Sequence, residues 1–181
     1  MIWNRIGVPG ILLACSLLMA CKSAENSATP QNTFAYWNNI GFTNPSTLPT
    51  NGSATFSGNL SITSTLISTT GRFSSTANFG GSTVNGTADN FVSGDGSILT
   101  GGLSLSNGVM CHCADPNVQY TFNADLAGTV SSPSETFVFN GILAGDFMGP
   151  NYGAMLGQVS GSVQQSNTTY PFSGQFLATR N

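Results

Sequence analysis

Four stretches of this chain alternate apolar and polar residues with a period of two, and this alternation limits the folds open to it. The stretches cover residues 54–62, 118–126, 137–147 and 170–178. Successive side chains of a β-strand point to opposite faces, so strict alternation predicts strands with one buried and one solvent-facing side. Such strands are typical of antiparallel sheets. No window of useful length carries the i, i+3, i+4, i+7 spacing of a helix, so the chain is predicted to be all-β.

The strands share a short unit, apolar-x-Gly-x-apolar, that favours a small barrel. The unit is centred on Gly58, Gly141, Gly161 and Gly174. A glycine on the inner face lets a strand bend and leaves room for a large side chain across the sheet. Closure would also remove the exposed edges of the sheet. We therefore predict a single antiparallel up-and-down barrel of about eight strands whose interior is filled by Phe and Leu.

Turn signals divide the chain into nine strand segments, one more than such a barrel needs. The signals include Asn51-Gly52, Gly94-Asp95-Gly96 and Asn107-Gly108. One of the nine assignments is therefore expected to be an error or a shared strand. The predicted strands span residues 53–63, 65–70, 73–80, 82–92, 97–106, 117–129, 135–147, 157–164 and 169–178.

Charged residues make up only 6% of the chain, with four Lys and Arg against seven Asp and Glu. A nucleic-acid-binding protein needs a basic surface, which this composition does not supply. One histidine and few carboxylates also offer little material for acid–base catalysis, and we expect no enzyme activity. With 40% apolar residues and 22 glycines, the composition favours an uncharged β-rich domain outside the cytoplasm.

Residues 1–20 are typical of a secretory signal peptide. Arg5 precedes an apolar run over residues 11–20, which is too short for an ordinary transmembrane span. The run ends Leu18-Met19-Ala20-Cys21, which resembles the lipobox of bacterial lipoproteins. The resemblance implies cleavage before Cys21 and acylation of this cysteine, and several acyl chains anchor a protein more firmly than one. The alternative is an ordinary signal peptide with an incidental cysteine.

Lys22 follows the cysteine, at the position where Asp retains enterobacterial lipoproteins in the inner membrane. The resemblance therefore implies a lipid-anchored protein of the outer membrane, and it leaves open whether the chain faces the cell surface or the periplasm.

Residues 21–49 are polar and carry three prolines, which predicts a flexible tether. An aromatic patch interrupts this tether. It consists of Phe34, Tyr36, Trp37 and Phe42, which either pack onto the barrel as a strand or plug, or contact a ligand.

The tripeptide Cys111-His112-Cys113 is the group of residues in the sequence that could form a disulfide or bind a metal or haem. Residues 107–117 around it are predicted to form a loop between strands. Free thiols are unusual outside the cytoplasm, which favours a disulfide that closes a small loop. Alternatively, the group contacts a metal or haem, with His112 as an axial haem ligand. The thiols could also stay unpaired or pair with another molecule. A closed zinc site needs about four ligands, and the other Cys and His that it would require are absent.

The segment GDFMGPNYGAMLGQV, residues 145–159, resembles a motif near the end of the barrel domains of the transferrin-binding protein B family. The family's Glu before Leu-Gly is absent, and Ala154 and Met155 stand there; Gln158 and Val159 replace a glycine and an aromatic residue. The ending FLATR resembles the family's terminal F-G-A-K-R. The residues that match the family are Gly145, Phe147, Gly149, Pro150, Gly157, Phe176, Ala178 and Arg180.

The local chemistry of this motif gives two further expectations. Gly149-Pro150 should stop the strand ladder, and Gly157 should restart the next strand at an unusual φ. The resemblance covers residues 134–181 and implies a lipid-anchored eight-stranded barrel of Gram-negative bacteria. Together with the lipobox and the polar segment after it, the resemblance divides the chain into a signal peptide (1–20), a lipidated N-terminus and tether (21–49) and a barrel (50–181).

The family resemblance implies capture of an iron source, either haem or an iron- or haem-carrying host protein, together with an outer-membrane receptor or export barrel as a partner. No binding residue carries over from the family to this chain. Two alternatives stay open. The chain could be a structural or adhesive envelope lipoprotein without an iron ligand, or a lipocalin-like carrier of a small apolar molecule.

Overall fold

Eight antiparallel strands, each paired with the next in sequence, close into a barrel in the computed structural model of the protein. The structure describes residues 33–113 and 120–181. The closing pair is β1 with β8, in which Leu60 lies opposite Phe176. The predicted fold class, an eight-stranded antiparallel barrel, is confirmed. The strands are β1 Ser53–Ser64, β2 Ser68–Asn78, β3 Thr83–Ser93, β4 Thr100–Met110, β5 Phe122–Ser131, β6 Thr136–Met148, β7 Ala154–Gln165 and β8 Thr168–Arg180.

The interior of the barrel is filled with apolar side chains, because the alternating residues of every strand face inward. In β2, for example, buried and exposed residues alternate over the whole strand. Pairs of phenylalanine rings pack against each other in the interior in tilted or edge-to-face arrangements, with centroids 5.2 Å apart for Phe73 and Phe176 and 5.5 Å apart for Phe139 and Phe172. Among the largest fully buried side chains are Phe56, Phe73, Phe91, Phe122, Phe139, Phe147 and Phe176.

One predicted strand division and one predicted turn signal are wrong. The predicted strands 65–70 and 73–80 are one strand, β2, and this accounts for the surplus assignment. Gly71 does not end a strand: a Cβ there would come within 2.6 Å of the Phe91 ring, so its missing side chain leaves space for that ring. Asn107-Gly108 is likewise no turn. Asn107 has a φ of +52° inside β4, where the pairing with β5 shifts between Ser106 and Val109, so the pair forms an irregularity that bends the strand.

The chain before β1 forms a helix, α1 Phe34–Ile40, and a short 3-10 helix, Pro45–Thr47. The Thr33 hydroxyl accepts a hydrogen bond from the Tyr36 N–H, and Gly41, with a φ of +87°, ends α1. The tether prediction therefore does not hold for residues 33–49, which lie on the barrel. The predicted signal peptide, Cys21 and residues 22–32 lie outside the described residues.

The barrel has two ends that differ in character. We call one the disulfide end; it carries the β2–β3, β4–β5 and β6–β7 connections, the start of β1 and the end of β8. We call the other the serine-rich end; it carries the β1–β2, β3–β4, β5–β6 and β7–β8 connections. No helix in the described part of the chain is long and apolar enough to cross a bilayer.

Candidate functional site

The Cys111-His112-Cys113 group lies at the disulfide end, directly after β4. The structure joins Cys111 and Cys113 by a disulfide, with the two Cα atoms 5.2 Å apart. The Cys111 N–H donates to the Thr121 carbonyl oxygen at 2.8 Å, which extends the β4–β5 pairing by one bond. The predicted loop thus begins at Cys111 rather than at Asn107. Its residues 114–119 lie outside the described part of the chain.

His112 lies between the two cysteines of the disulfide. Nδ1 and Nε2 are buried and have no hydrogen-bond partner among the described residues. An imidazole nitrogen without a partner is chemically able to ligate a metal or a haem iron. No group of three or more His, Cys, Asp or Glu side chains suited to a metal ion occurs within residues 33–113 and 120–181. The structure therefore supplies one candidate axial ligand and no complete set of protein ligands in that part of the chain.

Asp146 organises the return of the chain into β5, a role that sequence analysis missed. Its Oδ1 accepts hydrogen bonds from the Thr121 N–H at 2.9 Å and from the Thr121 hydroxyl at 2.7 Å. Thr121 is buried, so these bonds satisfy polar groups that would otherwise be costly. Asp146 belongs to the segment that resembles the family motif, but alternation along a strand contains no signal for a contact with a residue 25 positions away.

Aromatic and aliphatic side chains plug the interior of the disulfide end. Leu48, from the segment before β1, is buried in the main core. The Phe79 ring packs against Tyr152 with centroids 5.0 Å apart, and the Arg180 guanidinium lies 4.4 Å from the centre of the Tyr152 ring. Arg180 thus covers the outside of the plug with a cation–π contact. The arrangement closes this end of the barrel to a ligand that would occupy the interior.

Most residues of the family-like motif form the packing inside this end. Phe147 is fully buried and contacts three other aromatic rings, and Phe176 lies against Phe73 and Phe122. Gly145 and Gly157 face each other across β6 and β7 beneath the Phe176 ring. The expectation of an unusual φ at Gly157 is wrong. The positive φ, +81°, occurs at Gly149, where β6 has ended and the chain turns at Pro150.

The segment before β1 forms backbone hydrogen bonds with the family-like motif. The Thr43 N–H donates to the Phe147 carbonyl oxygen at 2.8 Å, and the Gly149 N–H donates to the Gly41 carbonyl oxygen at 2.9 Å. The Thr43 hydroxyl donates to the Gly149 carbonyl oxygen as well. Residues 41–43 therefore add a short antiparallel pairing to the end of β6, and this pairing fixes where α1 lies.

Trp37 of α1 packs against two glycines, Gly149 and Gly153, which we call the glycine seat. A Cβ at Gly153 would come within 2.8 Å of the Trp37 ring, and one at Gly149 within 3.2 Å. Phe34 and Trp37 pack on Met148, Ala154 and Leu177, outer-face residues of β6, β7 and β8. The sequence offered two interpretations of the aromatic patch, packing onto the barrel or contact with a ligand. Phe34 and Trp37 pack onto the barrel, but they belong to a helix rather than to a strand. Phe42 is 69% exposed.

Replacing Trp37 by Ala should release α1 from the barrel, because the indole supplies most of the apolar contact with the glycine seat. We expect residues 33–43 to become open to cleavage by a broad-specificity protease, and the free energy of unfolding to fall by about 2 kcal/mol. Limited proteolysis followed by mass spectrometry locates the cuts. Asn38→Ala, an exposed substitution in the same helix, is the control and should leave the cleavage rate unchanged. If residues 33–43 were cleaved no faster in Trp37→Ala than in the wild-type chain, the contact between Trp37 and the glycines would not be what holds α1 on the barrel.

The structure brings the motif residues, the disulfide and His112 to one end of the barrel, while the predicted lipidation residue Cys21 lies outside the described residues. Ala178, a further motif residue, is buried beside them opposite Met155, and Pro150 is exposed in the turn. Neither a comparison with known protein families nor a search of curated proteins found a match for this chain.

Proposed function

We propose that this protein is a lipid-anchored outer-membrane protein whose barrel binds a ligand through its loops. One observation carries the proposal: an apolar run ending Leu18-Met19-Ala20-Cys21 precedes a chain that folds as a closed barrel. The likeness of residues 145–159 to the barrels of the transferrin-binding protein B family supports an iron source as the ligand. That source would be haem or an iron- or haem-carrying protein, with an outer-membrane receptor or export barrel as a partner.

His112 is the residue of this chain that best fits the haem form of the proposal. Its two ring nitrogens have no hydrogen-bond partner among the described residues, which gives the side chain the chemistry of an axial ligand. His112 does not line any of the clefts described for residues 33–113 and 120–181. A bound haem would therefore have to be held mainly by the His112 imidazole and by the loop around the disulfide. This form of the proposal therefore depends on one side chain, and that side chain can be tested alone.

Two other functions compete with iron capture. A structural or adhesive envelope lipoprotein needs only the anchor and a stable, sparsely charged barrel, and it would bind no iron source. A carrier that holds a small apolar molecule inside the barrel has less support, since phenylalanine rings occupy the interior.

Acylation is tested by growing Gram-negative cells that express the chain with labelled palmitate. We expect the label on the wild-type chain and its loss in Cys21→Ala, which should also leave the membrane fraction, because a chain without its acyl groups lacks the anchor. Cys15→Ala is the matched control and should keep the label. Label on Cys21→Ala would exclude the anchor. Protease treatment of intact cells then distinguishes a surface-facing barrel from a periplasmic one.

Iron capture is tested on the purified full chain by an absorbance titration with haem and by pull-down with haem- and iron-carrying host proteins. If His112 is the axial ligand, His112→Ala should weaken haem binding by about tenfold or more. The variant removes the one histidine of the chain, so no other imidazole can replace it. Identical titrations of wild type and variant would remove the haem form. A failure of every pull-down as well would leave the structural or adhesive function.

A further inference from the structure

The serine-rich end, unlike the plugged disulfide end, carries an open cleft of about 540 Å³. Its apolar lining residues are Leu66, Ile67, Leu99, Pro133 and Phe137, and Ile67, Leu99 and Phe137 are buried at the edge of the core. Five serines, Gly94, Asp95 and Glu135 complete the lining. Small-molecule sites usually have volumes of roughly 300–1,000 Å³ and combine an apolar surface with a few polar groups, as this cleft does.

Hydrogen bonds hold the loops of the cleft in place. The Gly94 N–H donates to the Ser68 carbonyl oxygen at 2.8 Å and ties the β3–β4 connection to the start of β2. In the β5–β6 connection, the Ser132 hydroxyl accepts from the Glu135 N–H at 3.1 Å, and the Ser132 N–H donates to the Glu135 carbonyl oxygen at 2.9 Å. The cleft is thus formed before any ligand binds, and binding does not require these two loops to become ordered.

The two carboxylates of the cleft have no cationic neighbour among the described residues. The described part of the chain contains two arginines and no lysine. Arg72 forms a two-bond ion pair with Asp89 on the outer wall, and Arg180 lies on Tyr152 at the disulfide end. The Ser97 backbone N–H donates to Asp95 at 2.9 Å, and this hydrogen bond lowers the pKa of Asp95 below its usual value, so the carboxylate is charged at neutral pH.

From this combination we infer that the serine-rich end binds a small organic cation that has an apolar part. The apolar part would cover Ile67, Leu99 and Phe137, and the charged group would be balanced by Asp95 and Glu135. Charge complementarity favours this class over the alternatives. An anion would be repelled by both carboxylates, and a purely apolar molecule would leave their negative charges unbalanced. The inference is independent of iron capture, which involves the opposite end of the barrel.

The test is a titration of the purified full chain, followed by ligand-detected NMR at low ionic strength. The probes are benzyltrimethylammonium, neutral benzyl alcohol and anionic phenylacetate, which share one aromatic ring and differ in charge. We expect the cation to bind about tenfold more tightly than the alcohol, and phenylacetate to bind least. The preference should shrink in about 0.5 M salt, because the carboxylates lie at an open mouth where ions screen them.

A double variant, Asp95→Asn with Glu135→Gln, should reduce the affinity for the cation about fivefold or more while the alcohol binds as before. The control is Asp89→Asn with Asp125→Asn, which removes the same charge from the outer wall and should retain the preference. Asp95, Glu135 and Asp125 are exposed and Asp89 is half-buried, and a thermal melt verifies that each variant is folded.

Two results would overturn the inference. One is equal binding, or no binding, of the three probes at millimolar concentration. The other is an equal loss of affinity in the control, because the preference would then come from the overall charge of the protein. Glycerophosphocholine distinguishes a free cation from a lipid headgroup. Its phosphate should be repelled by the carboxylates, so tighter binding of this probe than of benzyltrimethylammonium would assign the cleft to headgroups instead. None of these outcomes depends on acylation or on haem binding.

Discussion

Phe147→Ala should lower the free energy of unfolding by about 4 kcal/mol, the largest effect that we expect from a single substitution in this chain. The ring is fully buried and lies 5.2 Å from the Phe122 ring, 5.8 Å from Phe56 and 5.9 Å from Phe79, measured between centroids. Phe56 and Phe122 are paired within β1 and β5, and Phe79 directly follows β2, where its N–H donates to the Gly52 carbonyl oxygen at 2.9 Å. The cavity left by Phe147 therefore cannot collapse easily, and the full cost of the lost contacts remains.

Urea denaturation followed by circular dichroism measures this loss, and a thermal melt should show a midpoint lower by about 10 °C. Phe42→Ala is a control of identical chemistry, since the Phe42 side chain is 69% exposed. It should change the free energy of unfolding by less than about 0.5 kcal/mol. A cost below about 1 kcal/mol for Phe147→Ala would mean that the interior is not packed as described.

Alternation was sufficient to predict which side chains fill the barrel, because a strand has only two faces and one of them must be buried. Phe147 and Phe176 were placed correctly on the inner face for this reason. Glycine was harder to interpret, because the same residue serves in turns and at crowded inner positions. The predicted strands 65–70 and 73–80 left out Gly71, which lies inside β2 and makes room for Phe91, and the predicted turn signal Asn107-Gly108 lies inside β4.

The features that sequence could not predict depend on contacts between distant residues. The helix α1 has seven residues, too few for helical periodicity to be recognised, and its position depends on the glycine seat under Trp37. The disulfide could be proposed because free thiols are unusual outside the cytoplasm. The cleft at the serine-rich end could not, since its walls come from three separate connections whose proximity follows only from barrel closure.

The second large effect concerns the crowded contact between β6 and β7. Gly157→Ala should cost about 3 kcal/mol, because the new methyl group has no space. A Cβ at Gly157 would overlap the Ala144 carbonyl oxygen, lie 2.5 Å from the Gly145 Cα and lie 2.8 Å from the Phe176 ring. Two of these neighbours are backbone atoms of the paired strand, so relief requires the strands to separate and their hydrogen bonds to lengthen. Chemical denaturation of the folded variant measures the cost.

Gly80→Ala tests whether this cost comes from crowding rather than from loss of a glycine. A Cβ at Gly80 would meet its nearest neighbour at 3.6 Å, and its φ lies outside the positive range, so we expect no loss and a gain of up to about 0.5 kcal/mol. A second variant separates ring from backbone. The double variant Gly157→Ala with Phe176→Leu should lose about 1 kcal/mol less free energy of unfolding than the sum of the two single losses, because only the contact with the ring is relieved. Complete recovery would show that the backbone of β6 is not the obstacle, and strict additivity would show that the Phe176 ring is not in contact with this position.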